Sequence, residues 1–183
     1  DNISIITKKN NLVIIETELC QFKIMGLPAE EFPKLPEFKD KEVIQLEQTT
    51  LKQMLSLTSF AVSFDEARYI LHGILFKIAK NNLTLIATDG KRLAIIEKKI
   101  QQDTEKDIQI IVPIKTIHEL NRNLVDEGNV SLVLGDNQAL LDLGDVVVIS
   151  RLIEGEFPAY QQVVPEVSEH KIIVAREEFL LAV

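Results

Sequence analysis

Apolar residues follow one another along most of the chain at the spacing of β-strands, with helical spacing in only a few stretches. Near the start, the apolar runs at 3–6 and 12–15 flank the dipeptide Asn10-Asn11. Asparagine tolerates the left-handed backbone that two-residue hairpin loops require, so this dipeptide predicts a turn. The same Lys-Asn-Asn-Leu sequence returns at 80–83, again between apolar runs. The pattern therefore predicts a chain reversal at each place.

A second pattern is a repeated signature, Leu-x-x-x-Glu-Phe-Pro, which ends two separate β-rich stretches. Its two phenylalanines, Phe32 and Phe157, lie 125 residues apart. Two further matches, of 2–4 with 129–131 and of 46–51 with 174–179, have offsets of 127 and 128. A repeat of this length indicates duplicated domains. We therefore expect a fragment with three parts: the end of one domain at 1–38, a complete domain at 39–165 and the start of a third at 166–183.

Within the complete domain the order of elements is itself repeated. A strand, a helix and three strands are predicted at 43–46, 50–63 and 67–100, with Thr49 or Thr50 as the helix cap. A strand, a helix and three strands follow at 108–112, 113–128 and 129–158, with Pro113 opening the helix and Gly128 closing it. The predicted fold is α+β, with duplicated strand–helix–three-strand units and helices on one face of antiparallel sheets.

Each predicted helix has one apolar and one polar side. The apolar sides are Leu51, Met54, Leu55, Thr58 and Val62 on the first helix and Ile117, Leu120 and Leu124 on the second. The opposite sides carry Lys52, Ser56, Ser59 and Ser63, and Lys115, His118 and Arg122. Lys115 precedes Glu119 by four residues and Arg122 precedes Asp126 by four, which is ordinary ion-pair spacing on a solvated helix. The alternative is a mildly basic surface offered to a polyanion.

Composition restricts the function classes. The chain has 183 residues, 46% of them hydrophobic, and a net charge of −8. A protein that grips DNA through many phosphates usually has a basic balance, so either nucleic acid is irrelevant here or contact with it is weak and confined to one face. No apolar run is long enough for a membrane helix and no signal sequence opens the chain. Cys20 is the only cysteine; we expect it to be buried, and the absence of disulfides suits the cytoplasm.

Candidate chemistry is sparse. The histidines, His72, His118 and His170, have no metal-ligand spacing to one another or to a carboxylate, so no metal, cofactor or catalytic site is predicted. The most elaborate motif is Thr-Asp-Gly-Lys-Arg-Leu-Ala at 88–94, where two cations and a leucine follow a strong hairpin dipeptide. These charges are either those of an exposed turn or the rim of a small apolar pocket for a short peptide.

Four segments together resemble a known family, the bacterial sliding clamp, which is the beta subunit of DNA polymerase III. They are ARYILHGILF at 67–76, ATDGKRLA at 87–94, IVPIKTIHEL at 111–120 and EGEFPAYQQVVP at 154–165. The resemblance covers the whole chain. It implies a non-catalytic processivity factor with the DNA clamp fold, a homodimeric ring when full length, which encircles double-stranded DNA. Its implied partners are the polymerase III catalytic subunit, the clamp loader and other replication and repair proteins, bound through linear peptide motifs.

The resemblance also implies two sets of site residues. The peptide-binding pocket maps to Leu71, Thr88, Gly90, Lys91, Arg92, Leu93, Pro158, Gln162 and Val163. Residues facing DNA map to Arg68, Tyr69 and Lys115, to which the helix faces add Lys52 and Arg122. Two other functions stay open from the residues alone: a small-molecule enzyme on a duplicated α+β scaffold, and a peptide-binding module that never meets DNA.

Overall fold

The structure is a computed structural model that describes residues 2–32, 38, 41–165 and 172–183, with only the main chain at 66 and 102–106. The chain divides into two compact units, Asp1–Lys39 and Asp40–Val183. The first unit contains an antiparallel sheet of three strands in the order β1-β2-β3: β1 (Ser4–Thr7), β2 (Leu12–Glu16) and β3 (Gln21–Met25).

The turn predicted at Asn10-Asn11 joins β1 to β2. Asn11 has a φ of 60°, the left-handed conformation that asparagine tolerates. The Asn11 N–H donates to the Lys8 carbonyl oxygen at 3.0 Å, and the Lys8 N–H donates to the Leu12 carbonyl oxygen at 2.9 Å. This prediction is confirmed.

Cys20 lies in the loop between β2 and β3, where it is exposed. The expectation that it is buried is therefore wrong. The apolar alternation around it suggested a strand, but the Thr17 hydroxyl accepts a hydrogen bond from the Cys20 N–H at 3.2 Å. The Thr17 N–H also donates to the Cys20 carbonyl oxygen at 2.9 Å. These bonds close a turn that places the thiol outside the sheet.

The second unit contains a four-stranded antiparallel sheet in the order β4-β7-β8-β9. Its strands are β4 (Val43–Glu47), β7 (Asn129–Leu134), β8 (Gln138–Asp142) and β9 (Val147–Arg151). Between β4 and β7 in the chain lie α1 (Gln48–Ser56), β5 (Gly73–Thr88), β6 (Leu93–Pro113) and α2 (Ile114–Asn123). A last helix, α3 (Arg176–Ala182), begins within the match of 174–179 with 46–51, as α1 does.

β5 folds back on itself. A straight strand of 16 residues would separate its ends by about 50 Å, at about 3.3 Å per residue. Yet Arg68, which precedes β5, donates from Nη1 to the carbonyl oxygen of Asp89, which follows it, at 3.2 Å. The reversal lies around Lys80, which has a φ of 53° and marks a shift in the register between β5 and β6. Lys80 opens the Lys-Asn-Asn-Leu sequence from which a reversal is predicted.

β6 pairs antiparallel with both halves of β5. The pairs run from Thr88 with Leu93 to Asn82 with Lys99, and from Ile78 with Ile108 to Gly73 with Pro113. The second layer of this unit is therefore built from four strand segments. Four segments are also predicted from the sequence between 67 and 112.

The segment before β5 differs from its prediction. Glu66–Leu71 forms two short 3₁₀ turns separated by a kink at Arg68, which has a φ of −120° and a ψ of 52°, whereas the apolar pattern predicts a strand from Ala67 onward. The Asp65 carboxylate accepts a hydrogen bond from the Ala67 N–H at 3.1 Å and so caps the first turn. The Leu71 carbonyl oxygen accepts a hydrogen bond from the Ser63 N–H at 3.0 Å, which brings the end of the second 3₁₀ turn against the chain that follows α1.

Both long helices differ from their predicted bounds. α1 begins at Gln48 and ends at Ser56, and neither threonine caps it, because Glu47 is the flanking residue and makes no side-chain cap bond. Ser63 therefore lies beyond the helix, and it is buried at 4% exposure instead of facing solvent. α2 begins after Pro113 as predicted, but Leu124 ends it, four residues before Gly128.

The predicted apolar sides of the helices are buried in one large core. Leu51, Met54 and Leu55 of α1 and Ile117 and Leu120 of α2 are each 0% exposed. They pack with β4, β7 and β8 and with one face of β5, through residues that include Ile44, Leu132, Leu141 and Phe76. A smaller cluster of Leu75, Ile86 and Ile111 lies apart from this core. Successive residues of a strand point to opposite faces, so this cluster marks the face of β5 and β6 turned away from the helices.

Candidate functional site: an apolar groove and a cationic helix face

Most of the predicted pocket residues come together in one cavity of about 310 Å³. We call this cavity the groove; it is lined by Leu71, Thr88, Gly90, Lys91, Arg92, Leu93, Pro158, Ala159, Tyr160 and Val163. Eight of the nine predicted residues are in this set. Gln162 is not, although it lies in the same short 3₁₀ helix as Tyr160 and Val163. Ala159 and Tyr160 are additional; the Phe-Pro-x-Tyr motif contains the tyrosine but did not single it out as lining.

The turn between β5 and β6 forms one wall of the groove, and its own hydrogen bonds hold its shape. The Asp89 carboxylate accepts from the backbone N–H groups of Lys91 at 2.9 Å and Arg92 at 3.0 Å, and from Arg92 Nε at 3.0 Å. The Thr88 hydroxyl donates to the Arg92 carbonyl oxygen at 2.7 Å and accepts from the Gly90 N–H at 3.0 Å. Gly90 has a φ of 86°, which side chains disfavour. All of these bonds lie within the turn, so the turn itself fixes the shape of this wall.

The chain that follows β9 forms the opposite wall. The Ile153 N–H donates to the Ile111 carbonyl oxygen at 2.9 Å and so anchors this chain to β6. Phe157 and Tyr160 then pack, together with Leu93, against the cluster on the outer face of β5 and β6. The repeated Phe-Pro signature therefore has a structural role here, because its phenylalanine secures the segment that carries Pro158 to the groove.

Two arginines at the turn between β5 and β6, Arg92 and Arg68, are directed by neighbouring groups. The Arg92 guanidinium lies 5.8 Å from the centre of the Phe60 ring, a cation–π contact. Arg68 reaches the carbonyl oxygen of Asp89 and lies 3.6 Å from the Asp65 carboxylate. A Cβ at Gly90 would meet Arg68 Nη1 at 2.6 Å, so the glycine allows this arginine to lie against the turn.

Arg68 and Tyr69 were grouped by prediction with the cations of the helices. The contacts instead place Arg68 beside the groove. Tyr69 is 57% exposed, and its hydroxyl lies near Gly155, in the chain that leads to the groove. The orientation of Arg68 and Tyr69 toward DNA stays a prediction.

Lys52, Lys115 and Arg122 lie on the outer sides of α1 and α2, which contact each other. Lys115 and Arg122 are exposed and Lys52 is partly exposed. We call the surface of these three residues the cationic face.

The ion pairs at this surface differ from those that the spacing along α2 indicates. Arg122 Nη1 pairs with Glu119 Oε1 at 2.8 Å, and Lys52 Nζ of α1 pairs with Asp126 Oδ1 at 2.8 Å. Asp126 lies beyond the end of the helix at Leu124, so it does not have the position that helical spacing assumed. In the part of the chain that the structure describes, Lys115 has no acidic partner.

Hydrogen bonds from the Lys91 amide, and next from the Arg92 amide, hold the pKa of Asp89 below its ordinary value of 3.8, with the Arg92 guanidinium adding to the effect. A depressed pKa means that the ordering of the turn is complete above the ordinary value and is lost as the pH falls through the lowered one. We therefore expect the Lys91 and Arg92 amides to resist hydrogen exchange equally from neutral pH to about pH 4, after correction for intrinsic rates.

The matched variant is Asp89→Ala, in which these amides should be unprotected throughout the same pH range. Its affinity for a groove-binding peptide should fall about three- to tenfold, because one wall loses its order. Hydrogen exchange followed by NMR measures the protection of the two amides in the wild type and in the variant, and a binding titration measures the peptide affinity. Equal protection in the variant would contradict a role for the carboxylate.

Among the described residues, no helix is long and apolar enough to cross a membrane. No group of three or more His, Cys, Asp or Glu in that same part of the chain is placed to hold a metal ion.

Comparisons with known proteins identify one family over most of the chain. The family model for the central domain of the DNA polymerase III beta subunit matches residues 45–159. The beta sliding clamp of Chlamydia pneumoniae is 33% identical over 179 residues, which cover 98% of this chain and 49% of that protein.

Solved structures agree with these matches. The crystal structure of the DNA polymerase sliding clamp from Bacillus subtilis matches with a TM-score of 0.88 and 33% identity, over 98% of this chain and 48% of that one. A sliding clamp from Pseudomonas aeruginosa bound to griselimycin matches with a TM-score of 0.79 and 32% identity, over 91% and 45%. The chain thus spans about half the length of these relatives.

Proposed function

The chain belongs to the beta sliding clamp family of DNA polymerase III beta subunits and has their fold, and from this premise we propose that it is part of a processivity factor. The whole protein would encircle duplex DNA as a homodimeric ring and carry out no catalysis itself. It would tether the polymerase III catalytic subunit, the clamp loader and other replication and repair proteins through linear peptide motifs. We propose that the protein acts in the cytoplasm.

The domain assignment is part of the proposal. Residues 1–38 would close the first clamp domain, 39–165 would be the complete second domain and 166–183 would open the third. The family model for a central domain covers 45–159, which lies inside the second of these ranges.

The observation that carries the proposal is the groove. It is open, it has an apolar floor with Leu71 and Leu93, and it has a cationic rim with Lys91 and Arg92. A short peptide with apolar side chains and a nearby acid fits such a site, because the apolar groups leave water while the acid meets the rim. The preformed turn lowers the ordering cost of binding.

The test of the groove is a binding titration. A fluorescein-labelled peptide from the polymerase III catalytic subunit of the same genome should bind the chain saturably, as followed by fluorescence anisotropy. The unlabelled peptide should displace it, and a version with its apolar residues changed to Ser should not. Saturable binding of both versions with equal affinity would contradict the proposal.

The cationic face supports the DNA-binding part of the proposal. A closed ring holds DNA by topology, so three cations in a chain of net charge −8 are compatible with loose, sliding contact. Many strong phosphate contacts would instead resist movement along the duplex.

Lys115→Glu should weaken binding of a labelled duplex about tenfold at low salt, because a cation near phosphate becomes an anion. The slope of log K against log salt concentration should become shallower by about one. Lys98→Glu is the matched control, since it makes the same charge change at an exposed position on β6. Equal losses in the two variants would leave only a general charge effect, and the peptide affinity should stay unchanged in both.

A further inference from the structure

Asp126 is held in place by the first turns of α1. The Thr49 hydroxyl donates to the Asp126 carbonyl oxygen, and Lys52 Nζ contacts Asp126 Oδ1 at 2.8 Å. The preceding residue is fixed as well, because the Val125 N–H donates to Oε1 of the buried Gln48 at 3.0 Å. Three residues of one helix therefore position a carboxylate that belongs to the loop after another helix.

The effect of this arrangement is to neutralise part of the cationic face. The Asp126 side chain is 83% exposed and that of Lys52 is 39% exposed, so the pair is open to ions from solution. Arg122 is paired in a similar way with Glu119, at 2.8 Å. Two of the three cations thus already have an anionic partner on the same surface.

DNA that reaches this face must exchange partners with the protein. A phosphate can approach Lys52 closely only if Asp126 gives up the ammonium group. An exposed ion pair shifts the binding equilibrium by at most about fivefold, so the pair between Asp126 and Lys52 weakens phosphate binding slightly without preventing it. The carboxylate also repels the phosphate from a fixed position, because its main chain is held on both sides.

We propose that Asp126 is a built-in competitor of the DNA phosphate for Lys52, and that it sets how loosely the cationic face holds a duplex. The inference rests on the proposed function, since it assumes that DNA meets this face. The ligand is the phosphodiester backbone, so the effect is independent of base sequence. By removing one phosphate contact from the resting interface, Asp126 keeps the salt dependence of binding shallow and favours sliding.

The experiment compares Asp126→Asn with Glu127→Gln in the 183-residue chain. Both changes remove one negative charge, at neighbouring exposed positions. Asn keeps the size of Asp, the main-chain oxygen that accepts from Thr49 is present in any variant, and circular dichroism checks that both variants fold. A fluorescein-labelled duplex of random sequence is titrated at several concentrations of NaCl.

We expect Asp126→Asn to bind the duplex about two- to fivefold more tightly at low salt. The slope of log K against log salt concentration should steepen by about one, because Lys52 is now free for a phosphate. Glu127→Gln should change neither quantity beyond the small effect of net charge. The tighter duplex binding of Asp126→Asn should disappear when Lys52→Met is combined with it.

Two other outcomes separate the inference from the function on which it rests. If Lys115→Glu weakens binding while Asp126→Asn and Glu127→Gln behave alike, the competition is overturned and the DNA-binding face stands. If Lys115→Glu, Asp126→Asn and the double variant with Lys52→Met all leave the affinity unchanged, the face does not meet DNA, and both proposals fail.

Discussion

Replacing Leu93 with Asp is expected to weaken binding of a polymerase-derived peptide by at least about 100-fold, which corresponds to about 2.7 kcal/mol. Leu93 is half-buried where the wall of the groove meets its floor, and it packs on the cluster of Leu75, Ile86 and Ile111. A carboxylate at this position would lie against apolar side chains of the protein and of the peptide. Burying a charge without a partner costs several kcal/mol, which is enough for a loss of affinity of this size.

Ile95→Asp is the matched control for this prediction. Ile95 lies two residues further along β6, on the same side of the strand, and is 43% exposed but does not line the groove. The Ile95→Asp variant should keep the wild-type peptide affinity. Its melting temperature should lie within a few degrees of that of Leu93→Asp. Equal losses of affinity in both variants would mean that the peptide binds elsewhere. Leu71 is a poorer choice, since at 7% exposure a charge there threatens the fold itself.

The sequence predicts those features that depend on local periodicity. The buried sides of α1 and α2 follow from the helical spacing of residues such as Leu51, Leu55 and Leu120, all of which are fully buried. The turn at Asn11 follows from the tolerance of asparagine for positive φ. The motif at 88–94 indicates one wall of the groove as an alternative to an exposed turn, but the full set of residues follows only from the resemblance to a family, because Leu71, Leu93 and Pro158 are far apart in the chain and share no periodic pattern.

The features that were missed depend on contacts between distant segments. Spacing along α2 pointed Arg122 toward Asp126, but the helix ends before Asp126, and α1 supplies the nearer cation in Lys52. Ser63 has a helical position only if α1 continues past Ser56; the chain instead turns, and the Ser63 N–H binds the Leu71 carbonyl oxygen. Neither contact leaves a signal in the local sequence.

Gln48 is the clearest case of such a distant contact, and we expect Gln48→Leu to lower the free energy of unfolding by about 2–3 kcal/mol. The side chain is 4% exposed at the first position of α1. Its Nε2 donates to the buried Leu143 carbonyl oxygen at 3.0 Å, and its Oε1 accepts from the Val125 N–H at 3.0 Å. Leucine has a similar volume but leaves the Leu143 oxygen buried without a partner, and the Val125 amide must turn to water.

Urea unfolding followed by circular dichroism measures this loss, with Gln53→Leu as the control on the exposed side of the same helix. Leu and Gln have similar helix propensities, so the control should change the stability by less than about 0.5 kcal/mol. Hydrogen exchange at the Val125 amide should speed up in Gln48→Leu and stay unchanged in Gln53→Leu. A stable Gln48→Leu with a protected Val125 amide would contradict the network. That outcome would also mean that Gln48 does not help to fix Asp126 beside Lys52, because the bond from the Val125 N–H to Gln48 holds the residue just before Asp126.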